Sequence, residues 1–259
     1  MSDTDDFKVI ALRAFKDNYI WTLRNRRYAA VVDPGDARPV LDYLERERLE
    51  LCAILATHHH PDHVGGVAEL LARHAVPVYG PRGEPIPTLS CPVGEGDEVE
   101  IPQLGLRFSV LGIPGHTRAH IAYYGANSVF CGDTLFACGC GRLFEGTAQQ
   151  MVVSLAKLAA LPEETLVYSG HEYTLANIDF ARAVEPDNGE LAARAASDAE
   201  TRRHELPTLP STIGREKKTN PFLRCLKPAV IASADKYLGA RASDPVQVFA
   251  ALREWKNGF

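Results

Sequence analysis

A chain of 259 residues with 46% hydrophobic and 24% charged positions can bury a full core, as one large domain or as a large domain plus a small one. Its net charge of −5 comes without a long basic run, which excludes the concentrated positive footprint of a nucleic-acid surface. The start, Met1-Ser2-Asp3-Thr4-Asp5-Asp6, is acidic and unlike a secretory or transit leader, and no apolar stretch approaches a bilayer span, so the expected setting is the cytoplasm.

In chain order, Phe7 to Leu12, Ile20 to Leu23 and Ala29 to Asp33 read as strands. Pro39 to Arg48 reads as an amphipathic helix with Val40, Leu41 and Leu44 on one face. Leu51-Cys52-Ala53-Ile54-Leu55-Ala56 is a short apolar run, expected as a buried strand, and a turn and helix to about His74 come after the loop that it feeds. Residues 80–96, rich in Pro and Gly, read as loop and turn. Strands are expected near 106–111, 120–124 and 128–132. A helix is expected over Ala148 to Leu161, where Met151, Val152, Leu155 and Leu158 fall in register, and Thr165 to Tyr168 is the last clear strand. Beyond His171 the pattern turns helical, over Leu175 to Ala183, Glu190 to His204 and Pro245 to Lys256, with 206–210 as a linker. The six cysteines, at 52, 91, 131, 138, 140 and 225, read as free thiols, and Cys138-Gly139-Cys140 as a tight loop with small buried side chains.

The chemistry concentrates at Thr57-His58-His59-His60-Pro61-Asp62-His63, on the loop between that strand and helix, where α/β sheets place their sites. Imidazole and carboxylate are ligands that zinc, iron and manganese accept together. In extended chain, residues two apart share a side, so His58 and His60 face one ion while His59 faces elsewhere. Pro61 stops the extension and turns Asp62 and His63 toward a second position. Two ions need further ligands, and His116, Asp133 and His171 each follow an apolar run and a Gly or Pro, the same strand-then-loop grammar. Asp33, ending a strand before Pro34-Gly35, is read equally as the acceptor that orients a ligand imidazole and as an ordinary turn residue. His120 is read as near the site without being a ligand.

Thr-His-x-His-x-Asp-His, then Pro114-Gly115-His116-Thr117, Gly132-Asp133-Thr134 and Gly170-His171-Glu172-Tyr173 together resemble the metallo-β-lactamase superfamily. Within it, Lys16-Asp17-Asn18-Tyr19, Val32-Asp33-Pro34-Gly35, Cys140 to Thr147, Asn220-Pro221-Phe222 and Leu252-Arg253-Glu254-Trp255-Lys256 are most similar to glyoxalase II, the hydroxyacylglutathione hydrolases. The resemblance implies an α/β fold, a four-layer αβ/βα sandwich, where alternation alone would suggest a doubly wound sheet. A small helical C-terminal domain follows. The catalytic domain would span 1–172 and the glutathione-binding domain 173–259.

Carried over residue by residue, the resemblance gives His58, His60 and His116 to one divalent ion and Asp62, His63 and His171 to the other, with Asp133 bridging. The ions are expected to be zinc, with iron and manganese also admitted. Asp62 and Asp133 are the catalytic carboxylates, Asp62 holding the attacking hydroxide in line. Arg142, Phe144, Tyr173, Arg253 and Lys256 would bind substrate. Some family members carry Lys at 142 and Tyr at 144, so this chain changes the geometry of one cation and loses one hydroxyl. The implied reaction is hydrolysis of an S-(2-hydroxyacyl)glutathione, S-D-lactoylglutathione first, to glutathione and D-lactate, the second step of methylglyoxal detoxification. The alternative is an iron-dependent glutathione persulfide dioxygenase, whose single iron would leave His63 and His171 without a role. The implied partner is this small thioester, with no nucleic acid and no membrane, and the chain is expected to act as a monomer.

Overall fold

Short apolar segments in the first third of the chain build a mixed six-stranded sheet in sequential order. The computed structural model, which describes residues 7–259, has β1 (Lys8–Ala14), β2 (Asn18–Arg24) and β3 (Tyr28–Val32) antiparallel, with β4 (Glu50–Leu55), β5 (Val78–Pro81) and β6 (Cys91–Val93) added in parallel. The parallel steps from β3 to β4 and from β4 to β5 are made by helical crossovers. These are α1 (Ala37–Glu47), and the pair α2 (Pro61–Val64) and α3 (Val67–Arg73). Asp36 caps α1 by accepting from the Arg38 N–H at 2.9 Å, and Arg48 ends it in the left-handed region at φ 57°. Val40, Tyr43 and Leu44 of α1 and Val67 and Leu70 of α3 then pack on Val31, Ile54 and Val78 of the sheet. Full burial of each such aliphatic side chain contributes about 1.5–3 kcal/mol.

The segment expected as loop over 80–96 in fact holds the end of β5 and all of β6. Pro81 and Pro92 hid them, because proline cannot donate to a ladder and is tolerated only at strand ends and sheet edges, and β6 is such an edge.

A second antiparallel run follows: β7 (Glu98–Ile101), β8 (Leu106–Gly112), β9 (Ile121–Gly125) and β10 (Ser128–Gly132). On β7 the exposed Glu98 and Glu100 alternate with buried Val99 and Ile101, the signature of a sheet with one solvated face. The two sheets meet where β4 ends. The Tyr123 hydroxyl donates to the Ala56 carbonyl at 2.9 Å, and the Ile121 N–H to the Thr57 carbonyl at 3.0 Å.

By its internal contacts the chain divides into two units. One runs to Gly112 and resumes over Ala119–Gly132; the other is Ile113–Arg118 with Asp133–Phe259. The second unit contains the hairpin β11 (Leu135–Phe136) and β12 (Gly139–Cys140), then α4 (Ala148–Ala159), opened by a Thr147–Gln150 capping box. β13 (Leu166–Ser169) pairs with β14 (Ser211–Thr212), and α5 (Thr174–Val184), α6 (Gly189–Arg203), α7 (Ile213–Thr219), α8 (Pro228–Leu238) and α9 (Pro245–Gly258) complete it. β11, β12, β14, α7 and α8 lie outside the elements expected from sequence, as does β7 in the first unit. α8 did carry a start and stop, Pro228 in its first turn and Gly239 at φ 66° beyond its end. Among the described residues no helix is long and apolar enough to cross a membrane. All six cysteines are free thiols.

Candidate metal centre

In the first unit, β4 delivers Thr57 to the carboxyl end of the sheet, next to Asp33 at the end of β3. Asp33 adopts φ 54°, a conformation that Asp tolerates better than most residues, and its carboxylate is buried. Its Oδ1 accepts from the Thr57 N–H and its Oδ2 from the Thr57 hydroxyl, both at 2.7 Å, while Oδ2 also accepts from His63 Nδ1 at 3.1 Å. Having donated its proton, the Thr57 hydroxyl accepts from His58 Nδ1 at 3.0 Å. One carboxylate therefore fixes two imidazoles as Nδ1–H tautomers, so that in each Nε2 is the nitrogen that carries the lone pair, as metal-bound histidines require. Of the two readings of Asp33, the orienting one describes its contacts.

Four candidate ligands gather there. His58 Nε2 lies 3.2 Å from His60 Nδ1, and His63 Nε2 lies 3.6 Å from Asp62 Oδ2. Asn18 Nδ2 donates to the same Asp62 Oδ2 at 3.0 Å. This is what the Lys-Asp-Asn-Tyr segment contributes. Gly35 has no alternative, since a Cβ there would stand 1.9 Å from the Asp62 carbonyl oxygen. His59 turns away from this cluster, as alternation requires. Its Nδ1 and its N–H both face the buried Glu84, whose other oxygen accepts from the Ala119 N–H at 2.9 Å. His120 is fully buried and stacks on His58 with ring centroids 4.5 Å apart. Glu84 went unread because its segment looked like loop, and a single Glu among Pro and Gly carries no periodic signal.

The second unit brings together the other three. His116 Nδ1 donates to the Arg142 carbonyl at 2.8 Å, which makes Nε2 the nitrogen that faces Asp133. Asp133 Oδ2 lies 3.5 Å from His116 Nε2 and 3.3 Å from His171 Nε2, so one carboxylate stands between two imidazoles. Ligand atoms about 2.0–2.1 Å from one tetrahedral ion sit roughly 3.3–3.5 Å apart. The separations in both clusters match that spacing, and the donors are imidazole and carboxylate throughout, so the residues present fit divalent ions.

A cavity of about 370 Å³ opens beside His116 and Asp133 in this unit. All five residues expected to bind substrate line it: Arg142, Phe144, Tyr173, Arg253 and Lys256. Tyr173 stacks on His171 with centroids 4.7 Å apart and planes 6° apart, and Phe144 meets the His116 ring edge-on at 5.3 Å. Arg253 and Lys256, three apart on α9, share the face that lines the cavity. Arg253 is buried, donates to the Cys140 carbonyl at 2.8 Å and lies over the Phe222 ring, so it forms floor as much as contact. Lys256 Nζ donates to the Ala176 carbonyl at 2.8 Å, which leaves two further N–H bonds. Burial, and then the Arg253 charge, pull its ammonium down to about 8. Cys140 lines the same cavity, and burial pushes its thiol up to about 11.

Sheets flanked by helices, with histidines and aspartates clustered on the loops after their strands, place the chain in the metallo-β-lactamase superfamily, whose model matches residues 15–171. The hydroxyacylglutathione hydrolase C-terminus model matches residues 172–259. The chain belongs to the hydroxyacylglutathione hydrolase family. It is 57% identical over 251 residues to a hydroxyacylglutathione hydrolase of Nitrosomonas eutropha, covering 97% of this chain and 98% of that one. To one of Vibrio cholerae it is 54% identical over 256 residues, covering 97% and 99%. Among solved structures, ETHE1 from Myxococcus xanthus superposes with a TM-score of 0.65 at 27% identity, covering 96% of this chain and 97% of that one. The class is therefore α/β, a metallo-β-lactamase domain followed by a helical C-terminal domain. The superfamily and the His/Asp clusters point to a binuclear metal site.

Proposed function

We propose that the chain is a thioester hydrolase that cleaves S-(2-hydroxyacyl)glutathiones, S-D-lactoylglutathione first, to glutathione and the 2-hydroxy acid. The observation that carries this reading is a single cavity with two candidate metal ligands, His116 and Asp133, at one wall and three cations, Arg142, Arg253 and Lys256, around it. A glutathione thioester pairs a reacting carbonyl with two carboxylates, the charge pattern such a cavity suits. Identity of 57% across nearly the whole chain to a hydroxyacylglutathione hydrolase supports it and does not favour the dioxygenase alternative.

The ligand assignment follows the family motif: His58, His60 and His116 for one ion, Asp62, His63 and His171 for the other, and Asp133 for both. Zinc is the proposed metal. When bound, two such ions supply a water of lowered pKa and positive charge for the oxyanion that develops in acyl transfer. The rest falls to the chain's own groups. Asp62, held by Asn18, orients the attacking water through its carboxylate. Asp33 and the Arg142 carbonyl keep the imidazoles of His63 and His116 in the ligating tautomer. Arg142 and Lys256 attract the glutathione carboxylates, and Tyr173 places its ring and hydroxyl beside His171. The carbonyl carbon gains an oxygen and the C–S bond breaks. The departing thiolate, with a free pKa of about 8.5, needs little help from an acid. We assign the catalytic role to residues 1–172 and the glutathione contacts mainly to 173–259, in a chain that acts as a cytoplasmic monomer. The family-model boundary at 171/172 supports that division.

The test is purified protein with S-D-lactoylglutathione, followed by thioester absorbance before chelation, after chelation and after metal add-back. Metal-restored hydrolysis is expected. Absence of hydrolysis by protein shown to hold two ions overturns the proposal.

A further inference from the structure

On the hydrolase reading, we propose that Asn220, with Asn177 and Glu216, is a positioning residue: these side chains hold the Phe136–Gly139 backbone and so fix Asp133 and the His116 contact. The hairpin β11–β12 has two residues per strand, too few to hold itself, and its turn residue Cys138 sits at φ 55°, uncommon outside glycine. Four of its backbone groups are anchored from elsewhere in the second unit. Asn220 Nδ2 donates to the Phe136 carbonyl at 3.1 Å and the Gly139 carbonyl at 2.9 Å. Asn177 Nδ2 donates to the Ala137 carbonyl at 3.0 Å, and Glu216 Oε2 accepts from the Cys138 N–H at 2.8 Å. Asn220 and Glu216 are fully buried. Glu216 is itself fixed by Arg194 at 2.7 Å, and Arg194 by Asp198 at 3.2 Å.

The hairpin is the lever between the reacting groups. Asp133 lies just before it and Arg142, whose carbonyl accepts from His116 Nδ1, just after it. The two ends are pressed together: the Gly141 N–H donates to the Thr134 carbonyl at 3.2 Å, and a Cβ on Gly141 would lie 1.9 Å from the Asp133 carbonyl oxygen. Phe136, on the hairpin, meets the His171 ring edge-on at 5.9 Å and the Tyr173 ring at 5.2 Å. A tilt of the hairpin therefore displaces Asp133, the tautomer-setting partner of His116 and the aromatic support of His171 at once. A displacement near 1 Å of such groups costs up to about a hundredfold in rate.

Two variants test this. Asn220→Ser keeps an oxygen able to cap the Phe222 N–H and removes the amide donor; Asn177→Leu keeps the branching at Cγ and the number of side-chain heavy atoms and removes one donor. Each is measured for melting temperature, kcat and KM with S-D-lactoylglutathione, and the chelator concentration that strips half of its metal. For Asn220→Ser the expected result is a folded protein with kcat down about tenfold or more, KM within about threefold, and metal lost at about tenfold less chelator. Asn177→Leu is expected to shift the same quantities by about a third as much on a logarithmic scale, and it carries the test should Asn220→Ser not fold. A lower melting temperature with kcat and metal retention unchanged in either folded variant means a merely structural role and overturns the proposal. Should the parent protein fail to hydrolyse the thioester, the hydrolase reading falls, while metal retention still decides whether the clamp positions the site.

Discussion

Asp33→Asn is the sharpest probe of the first unit. The carboxylate accepts three hydrogen bonds, two from Thr57 at 2.7 Å and one from His63 at 3.1 Å. An amide has one acceptor oxygen. With that oxygen at the Oδ2 position, its NH2 confronts the Thr57 N–H. With the amide flipped, the NH2 confronts both the Thr57 hydroxyl and His63 Nδ1–H. Each arrangement strands at least one buried donor and removes the charge from the bond that sets the His63 tautomer. Hydrogen bonds to charged groups contribute about 1.5–3 kcal/mol. At about 1.4 kcal/mol per decade, that is a loss of roughly 10- to 150-fold in metal affinity. Asn accepts the left-handed backbone of position 33 as readily as Asp, so strain does not confound the result. The assay is metal retention against a graded chelator, read by elemental analysis, with kcat measured at saturating metal. Retention equal to the parent at every chelator concentration would refute the orienting role of Asp33.

Asp133→Ala is expected to abolish both two-metal loading and turnover, and full activity with two ions bound would exclude a bridging role. Lys256 loses its charge near pH 8 rather than 10.5, because burial opposes the ammonium, so KM for the thioester should be flat below pH 8 and rise above it. Lys256→Met should show a raised KM at every pH and no such rise; steady-state kinetics between pH 6.5 and 9 read both, and an unchanged KM argues against a carboxylate contact. Gly35→Ala places a methyl 1.9 Å from the Asp62 carbonyl oxygen, so Asp62 must move. The expected outcome is loss of turnover exceeding any loss of melting temperature, and parent-like kcat would show that the Asp62 segment moves without consequence.

The candidate ligands were legible because their signal is local. Five ligand-type residues fall within Thr57–His63, and His116, Asp133 and His171 each sit just past a strand with Gly or Pro beside them. The helices α1, α4, α5, α6 and α9 were legible through their apolar period, and the cation pair on α9 through its spacing of three. The supports were not. Glu84 reaches His59 across 25 residues, Glu216 reaches Cys138 across 78 and Asn220 reaches Phe136 across 84, and such bonds leave no periodicity behind. β5 and β6 were masked by their prolines. α7 was masked by its length of 7 residues and a last turn carrying Lys217 and Lys218.

The wall of the cavity includes a cysteine thiol, in a protein proposed to release a thiol on every turnover. Thiolate is the form that attacks disulfides, and burial holds the Cys140 thiol near 11. At neutral pH only about one copy in ten thousand is ionised. Arg253, 3.8 Å from that sulfur, opposes the shift without undoing it. A thiol kept in its neutral form is a poor nucleophile toward a disulfide, glutathione disulfide included, which is the oxidised form of the proposed product.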